Sequence, residues 1–464
     1  MTDKQWMHFI GIGGAGMSGI AKVLLELGYK VSGSDLSSSE VTKRLESMGA
    51  SIYRGHQENN LDKRVDTVVV SSAVPKDNPE VVKAQRLGIP VIQRAEMLGH
   101  LMDLQKGIAV AGAHGKTTTT SMISLIFEKN GYDPTVVVGG ELNDIGGNAK
   151  LGTGKYLVAE ADESDGSFLK LKPTITVVTN VEDDHLDYYG TRENIQKAFR
   201  EFIIRTPKEG FSVLCLDDPV LSKMIPQLKG ETQIITYGFT PEAHFTAVNI
   251  NLDGITTSAT VLQQGKALGE IFLNVPGKHN VLNALATVAV GINCGLTFQE
   301  IVNGLQSFHG VQRRFQHVGR VNDIQVVDDY AHHPTEIKAT LAAARTTRPK
   351  RVVAVFQPHR FTRTQLLAHE FGTAFTDSDI LILNEIYPAG EKPIPGVSAQ
   401  LIAEQIRAQT YQTLEYIADK NDITKRLLEI VQPGDLVLTL GAGNIWTVGQ
   451  ELVRALKEKE TAKA

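Results

Sequence analysis

The chain is poor in cysteine: 464 residues contain only Cys215 and Cys294, each in an apolar stretch. A disulfide framework is therefore not expected, and a reducing, cytoplasmic setting is. No apolar run approaches the ~20 residues of a membrane span. Basic charge is not in excess, with 47 Lys and Arg against 52 Asp and Glu and a formal net charge of −5. That balance argues against a nucleic-acid surface. The first residues run straight into a strand and a glycine turn, so no signal peptide is expected. What remains, 42% hydrophobic and 21% charged, is the composition of a soluble globular protein. Its length exceeds one ordinary core, so about two to four domains are expected.

The stretch Val110-Ala-Gly-Ala-His-Gly-Lys-Thr-Thr-Thr-Thr120 carries the most chemistry. The apolar run Gly107–Gly112 before it reads as a buried strand, and Ser121–Phe127 after it as an apolar helix. A strand, a turn holding Gly112 and Gly115, and a helix form a phosphate cradle. Backbone N–H groups and the helix end hold the anion, Lys116 adds a point charge, and the Thr117 hydroxyl suits Mg²⁺. Only Ala113-His114 separates the two glycines, where the common loop has four residues before Gly-Lys. The plainer alternative is a glycine-rich turn with an exposed lysine.

A second glycine loop opens the chain. Met7–Ile10 reads as a strand, Gly11-Ile-Gly-Gly-Ala-Gly16 matches G-x-G-x-x-G, and Met17–Leu27 as the helix that follows. Asp35 ends the next strand, Val31–Asp35, roughly 20 residues past the glycines, where a ribose-binding acid would sit. Alone, this pattern points to NAD, but any diphosphate ester can use the same N–H groups. Thr67–Ala73 and Ile89–Ile92 read as further strands, so residues 1–104 are expected to form a small α/β domain.

The acids cluster in the middle third. The strand Tyr156–Ala159 ends in Glu160-Ala-Asp-Glu-Ser-Asp165, and Thr174–Asn180 ends in Val181-Glu-Asp-Asp-His-Leu-Asp187. Ligands of α/β sheets sit beyond the carboxyl ends of strands, and carboxylates beside a nucleotide phosphate are hard ligands for Mg²⁺. Two solvated acidic loops are the alternative. His185 is not the usual Mg²⁺ ligand. After residue 210 the pattern alternates, as in Thr256–Leu262, and Val275–Ala284 then makes a turn into an Ala-rich helix. His279, Asn280 and Asn283 there could meet a purine edge, and Asn280 could equally be a helix N-cap.

The last third has its own α/β rhythm. Ile324–Val327 ends in Asp328-Asp-Tyr-Ala-His-His-Pro334, Arg351–Phe356 in Gln357-Pro-His-Arg-Phe-Thr-Arg363, and Leu436–Leu440 in Gly441-Ala-Gly443. Arginines at strand ends suit carboxylate or phosphate, unless they form a rim salt bridge.

Taken together these motifs resemble the Mur ligase family over essentially the whole chain. The resemblance rests on Gly11–Ala21, His114-Gly-Lys-Thr-Thr118, Glu160–Asp165, Asp184-His185, Gly277-Lys-His-Asn280, Arg313-Arg-Phe315, Asp328–Glu336 and Phe356-Gln-Pro-His-Arg360. Two departures are Ala113, where the family usually has threonine, and Ala331, where glycine is common. The family likeness implies an α/β chain of three domains. Residues 1–104 would form a Rossmann-like UDP-sugar domain, 105–318 a central P-loop-type ATPase domain, and 319–464 a Rossmann-like amino-acid domain.

The activity implied is ATP-dependent joining of L-alanine to the lactyl carboxylate of UDP-N-acetylmuramate, with Mg²⁺ and with Mn²⁺ as a substitute. By that likeness Lys116, His185, His333, Arg360 and Arg363 serve catalysis. Gly112, Gly115, Lys116, Thr117, Thr118, His279, Asn280, Asn283, Arg314 and Asp328 hold the nucleotide. Gly11, Gly13, Gly14, Ala15, Gly16, Met17, Ser18, Asp35, Ser71, Tyr330, His332, Arg360 and Arg363 hold substrate. Thr117, Glu160 and His185 hold metal. A monomer or homodimer without nucleic-acid or membrane partners is expected. Three rival readings are an NAD-dependent dehydrogenase, a tripeptide-accepting murein recycling ligase and a non-catalytic nucleotide switch. The dehydrogenase leaves Lys116, Glu160 and the last third unused.

Overall fold

The computed structural model describes residues 5–142 and 147–461. Short β-branched runs, buried along nearly their whole length, form the interior strands, the pattern of parallel sheets covered by helices on both faces. They assemble into three sheets.

The first sheet contains β1 (Trp6–Ile10), β2 (Lys30–Asp35), β3 (Ser51–Arg54), β4 (Thr67–Val70) and β5 (Val91–Gln93), all parallel in the order β3-β2-β1-β4-β5. Helices α1 (Ala15–Glu26), α2 (Glu40–Ser47), α3 (Pro79–Leu87) and α4 (Arg94–Met102) follow its strands. The strand expected to reach Ala73 stops at Val70, because Val74 N–H turns back onto the Ser71 carbonyl at 3.1 Å.

The second sheet contains β6 (Lys106–Ala111), β7 (Thr135–Leu142), β8 (Gly147–Lys150), β9 (Tyr156–Glu160), β10 (Ile175–Val178), β11 (Phe211–Cys215) and β12 (Ile234–Gly238). Their order is β12-β11-β10-β6-β9-β7-β8, parallel except for β8. Beyond β12 the sheet continues through β13 (Phe245–Asp253), β14 (Thr256–Gln263) and β15 (Lys266–Leu273). Helix α5 (Lys116–Lys129) begins five residues earlier than the apolar run Ser121–Phe127 indicates, because Gly115 in the left-handed conformation turns the chain directly into it.

The third sheet contains β16 (Gln316–Val321), β17 (Ile324–Asp329), β18 (Arg351–Phe356), β19 (Ile380–Leu383), β20 (Thr413–Tyr416) and β21 (Asp435–Leu440), in the order β16-β17-β21-β18-β19-β20. Only β16 is antiparallel. One apolar layer on this sheet gathers Phe356, Phe371, Phe375, Ile402 and Ile406, and another Val355, Ile423, Leu427, Val448 and Leu452.

The chain packs as two compact units. The first comprises Met1–Val248, Thr260–Ile271 and Leu282–Phe308; the second comprises Asn249–Ala259, Phe272–Val281 and His309–Ala464. Within the first, α1 docks on β8. Lys22 Nζ donates to the Ala149 carbonyl at 2.5 Å, and Glu26 accepts from Leu151 N–H at 2.9 Å.

In the second unit, Asp329 ends β17 as a buried carboxylate. It accepts from the N–H groups of Ala331 and Phe315, each at 2.7 Å. Burial pushes its pKa up to about 6, against the pull of nearby Arg314. The folded unit thus keeps a proton that the unfolded chain loses near 3.8. Asp329 therefore contributes stability at pH 4 that is lost as pH rises through 6. Urea unfolding, read by Trp446 fluorescence in a Trp6→Phe background, checks this. The stability of the parent minus that of Asp329→Asn is expected to fall between pH 4 and 6, by at most about 3 kcal/mol. A difference that stays flat with pH would show that Asp329 does not titrate there.

Candidate active site

The nucleotide-type loop follows from strand order. β6 lies between β9 and β10, all parallel, so the loops leaving their carboxyl ends meet at one point. Gly112 has φ +136°, and a Cβ there would overlap Thr179 Oγ1 and stand 3.1 Å from Asn180 N. At Gly115, φ +81°, a Cβ would lie 2.7 Å from Asn283 Oδ1. Asn180 grips the loop between them. Its Oδ1 accepts from His114 N–H at 2.8 Å, and its Nδ2 donates to the His114 carbonyl at 3.0 Å.

Lys116 opens α5, which has no side-chain cap. Its Nζ donates to the carbonyls of Gly112 and Ala113 at 2.5 and 3.2 Å and to Glu163 Oε1 at 2.7 Å, so all three protons are engaged. Thr118 is half-buried in the same turn. The Thr117 hydroxyl donates to Glu160 Oε2 at 3.0 Å, and the same oxygen accepts from Gly139 N–H at 2.8 Å. Glu163 is only 3% exposed, and its Oε2 has no hydrogen-bond partner.

His185 has φ +65°, which brings Nε2 within 3.8 Å of Glu163 Oε1 and 3.5 Å of Asp184 Oδ2. Burial pushes Glu163 up to about 7, opposed by Lys116 and reinforced by Asp162. Burial works against the Lys116 charge, but Glu163, Glu160 and Asp162 outweigh it and raise its pKa. A hydroxyl–carboxylate pair beside an orphaned carboxylate oxygen fits a hard divalent cation. The side chain of Asp187 lies outside the described residues.

The N-terminal loop has already committed several donors. Gly11 and Ile12 N–H both go to the Ser34 carbonyl, and Gly14 N–H goes to the Gly11 carbonyl. Asp35 Oδ2 accepts from Gly13 N–H at 2.9 Å. The donors left for an anion are the first-turn N–H groups of α1, on Ala15, Gly16 and Met17. Met17 and Ser18 are buried, and Ser18 Oγ donates to the Ala15 carbonyl at 3.0 Å. Ser71 stands at the carboxyl end of β4, the strand beside β1.

Asn283, in the first unit, is buried and accepts from Thr119 Oγ1 at 3.2 Å. His279 and Asn280 belong to the second unit. Asn280 Nδ2 donates to the Pro276 carbonyl at 2.7 Å from within the helix Lys278–Asn293, which the N-cap reading did not foresee. Burial, then Arg314, lowers His279 to about 4, so its imidazole is neutral.

The third sheet gathers the remaining residues. Because β21 lies between β17 and β18, the segments after all three strands are adjacent. Asp328 sits inside β17 rather than past its end. Its Oδ2 accepts from Arg313 Nε at 3.0 Å, and its Oδ1 from Thr439 Oγ1 at 2.7 Å. Burial raises the Asp328 pKa. Arg314 instead meets Glu336 at 3.6 Å, and both arginines lie over the Tyr330 ring, 5.0 and 5.1 Å from its centre.

His332 Nδ1 faces the Tyr330 carbonyl at 3.0 Å and Glu336 Oε2 at 3.3 Å. Nδ1 thus has two acceptors within reach. His333 is buried and caps the helix Pro334–Thr346, its Nδ1 accepting from Thr335 N–H at 3.4 Å. The His359 ring lies 5.7 Å from those of both His332 and Tyr387, and its Nδ1 is 3.3 Å from Arg363 Nη1. Arg360 holds φ +72° and ψ 140°, a conformation rare outside glycine.

The structure thus brings Lys116, Thr117, Glu160 and His185 into one cluster, and Tyr330, His332 and Arg363 into another with His359. Sequence reasoning passed over Glu163, Asn180, Arg313 and His359. Glu163, Arg313 and His359 stood inside the motifs already quoted, but only burial and partners single them out.

The chain matches three family profiles: the Mur ligase family catalytic domain over residues 7–106, the Mur ligase middle domain over 110–291, and the Mur ligase glutamate ligase domain over 313–443. It is 57% identical over 452 residues to a UDP-N-acetylmuramate–L-alanine ligase of Geotalea daltonii, covering 97% of this chain and 98% of the relative. Among solved structures it is similar to the UDP-N-acetylmuramate–alanine ligase MurC of Thermotoga maritima, with TM-score 0.83 and 29% identity over 98% of this chain and 99% of that one. It is also similar to a murein peptide ligase of Psychrobacter arcticus, with TM-score 0.72 and 26% identity over 97% and 98%. The three sheets, the lysine loop facing two acidic strand ends, and these matches together establish that the chain belongs to the Mur ligase family.

Proposed function

We propose that this chain is the ATP-dependent ligase that joins L-alanine to the lactyl carboxylate of UDP-N-acetylmuramate. The reaction belongs to peptidoglycan precursor synthesis, on which cell-wall growth, shape and division depend. The Lys116–Glu163 and Thr117–Glu160 pairs at one strand-end junction carry the phosphoryl-transfer part of this reading. The high identity to a relative of that activity carries the substrate part. No helix among the described residues is long and apolar enough to cross a membrane. Two unpaired cysteines suit a reducing cytoplasm.

The domains are assigned as 1–104 for the UDP-sugar, 105–318 for ATP and 319–464 for the amino acid. The first turn of α1, with Gly11, Gly13, Gly14, Asp35 and Ser71 around it, takes the UDP diphosphate and ribose. Lys116 exchanges its carbonyl partners for the β- and γ-phosphates, with Gly112, Gly115 and Thr118 lining the loop. Asn283, beside Gly115 in the same unit, is assigned to the adenine. Thr117, Glu160 and His185 would hold Mg²⁺, which supplies charge neutralisation at the phosphates when bound. Tyr330, His332, Arg360 and Arg363 are assigned to the amino acid and the reacting carboxylate. His333, already spent as a helix cap, supports that group.

The chemistry has two steps. The lactyl carboxylate attacks the γ-phosphorus, forming an acyl phosphate as ADP leaves. The amine of L-alanine then attacks the acyl carbon, and phosphate leaves with the carboxylate oxygen. Two anions meet in the first step, so the Lys116 ammonium lowers the barrier by sitting where charge builds up. A carboxylate cannot expel oxide, whereas an acyl phosphate expels a stabilised phosphate.

Three results are expected. Lys116→Ala should lose at least about a hundredfold in turnover in a chain that still folds, as its circular dichroism would show; near-normal ligation would sink the loop assignment. Glu160→Ala should raise the Mg²⁺ needed for half-maximal rate by about tenfold or more, and an unchanged metal requirement would remove Glu160 from the metal site. Finally, UDP-N-acetylmuramate labelled with heavy oxygen in its carboxylate should give singly labelled phosphate when L-alanine is ligated. Unlabelled phosphate would exclude the acyl-phosphate route, and ligation of a murein tripeptide in preference to L-alanine would hand the function to the recycling ligase.

A further inference from the structure

The N-terminal loop, Gly11 to Ser18, contains no basic side chain, and Asp35 already presents a carboxylate to Gly13. A diphosphate placed at the start of α1 brings more negative charge beside that acid. Helix-end N–H groups alone compensate only partly. Two cations near this face are committed elsewhere: Lys22 holds the Ala149 carbonyl and Glu26, and Arg44 lies against Gly147.

Arg94 is placed differently. It is the first residue of α4, and its guanidinium packs directly on the loop. A Cβ at Gly16 would collide with Nη1 and stand 3.1 Å from Cδ and Cζ, so the glycine makes room for this side chain. The other arm, Nη2, donates to Asp162 Oδ2 at 2.9 Å. The pair is incompletely buried, at 23% and 40% side-chain exposure, so Arg94 can turn toward a ligand without leaving a charge stranded in the core. Asp162 belongs to the acidic strand end that faces Lys116.

We propose that Arg94 is the positioning cation of the sugar-nucleotide site. One arm is steadied by Asp162, and the other meets the diphosphate at the first turn of α1. A planar fork is suited to this, because it can hold the acid and the phosphate at once. The proposal rests on the reading that the Gly11–Gly16 loop takes the UDP diphosphate.

Calorimetric titration of the full chain tests it, with UDP-N-acetylmuramate, UDP and ATP as probes. Arg94→Ala should weaken both uridine ligands by about 10- to 100-fold and leave ATP within about threefold, with thermal unfolding near the parent's. Arg94→Lys should recover part of the loss. Asp162→Asn should leave UDP binding within about threefold, since the amide oxygen can still accept from Nη2 and steady the guanidinium. A brace that merely holds two loops together behaves otherwise, with Arg94→Ala and Asp162→Asn losing affinity alike. That result, unchanged UDP binding in Arg94→Ala, or an equal loss of ATP affinity, would overturn the proposal. If the parent protein bound neither uridine ligand, the functional reading would fall and this assignment with it.

Discussion

A largely buried ammonium persists only where carboxylates meet it, and the centre of the first unit is arranged around that requirement. Lys116 must sit at the start of α5, because only there do the loop carbonyls of Gly112 and Ala113 reach its Nζ. Its carboxylate cannot come from a sequence neighbour. Glu163 arrives from the end of β9, 47 residues away, because β9 pairs in parallel with β6. On the other flank, β10 delivers Thr179 and Asn180, which fix His114 and hence the path of the loop. Moving β9 one place in the sheet would leave the lysine unneutralised. Burying it would then cost several kcal/mol.

The second unit meets the same kind of demand with arginine. Arg313 is held by Asp328 and by the carbonyls of Gly441 and Gly443, contributed by two adjacent strand ends. Its direction is therefore set by the pairing of β17 with β21 and not by its own loop. Next to it, the rings of Tyr330, His332, His359 and Tyr387 run edge to face and then stacked. Such a row limits the orientations open to each imidazole, which would suit the role proposed for His332 beside the reacting carboxylate.

Legibility from sequence followed the range of the forces involved. Strands such as Gly107–Gly112 and Arg351–Phe356 were readable because burial on both faces demands an unbroken apolar run. The start of α5 was misplaced because a row of threonines has low helix propensity, and the left-handed Gly115 and the phosphate-type turn decide the boundary instead. Glu160 and Glu163 look equivalent in the acidic run. Only the fold buries Glu163 against Lys116 while giving Glu160 to Thr117. Arg94 carries no local signal at all, since both of its partners lie far from it in sequence. The segments Asn249–Ala259 and Phe272–Val281 fall in the second unit although the chain leaves and re-enters the first around them, a crossing that no composition change marks.

The charge balance at the lysine loop then constrains what can bind there. Glu160, Asp162 and Glu163 carry three formal negative charges when ionised, and Lys116 and Arg94 two positive ones, which leaves minus one. A polyphosphate entering alone would deepen this deficit, so the site favours an anion that arrives with its own cations. The Oε2 of Glu163 has no hydrogen-bond partner, and burial, reinforced by Asp162, pushes its pKa up in spite of Lys116. Lys116 gives its three protons to two loop carbonyls and Glu163, and these contacts hold the loop in shape. In the proposed reading those partners would be exchanged for phosphate oxygens, and a loop already held in shape would leave more of the nucleotide's binding energy to the phosphoryl transfer.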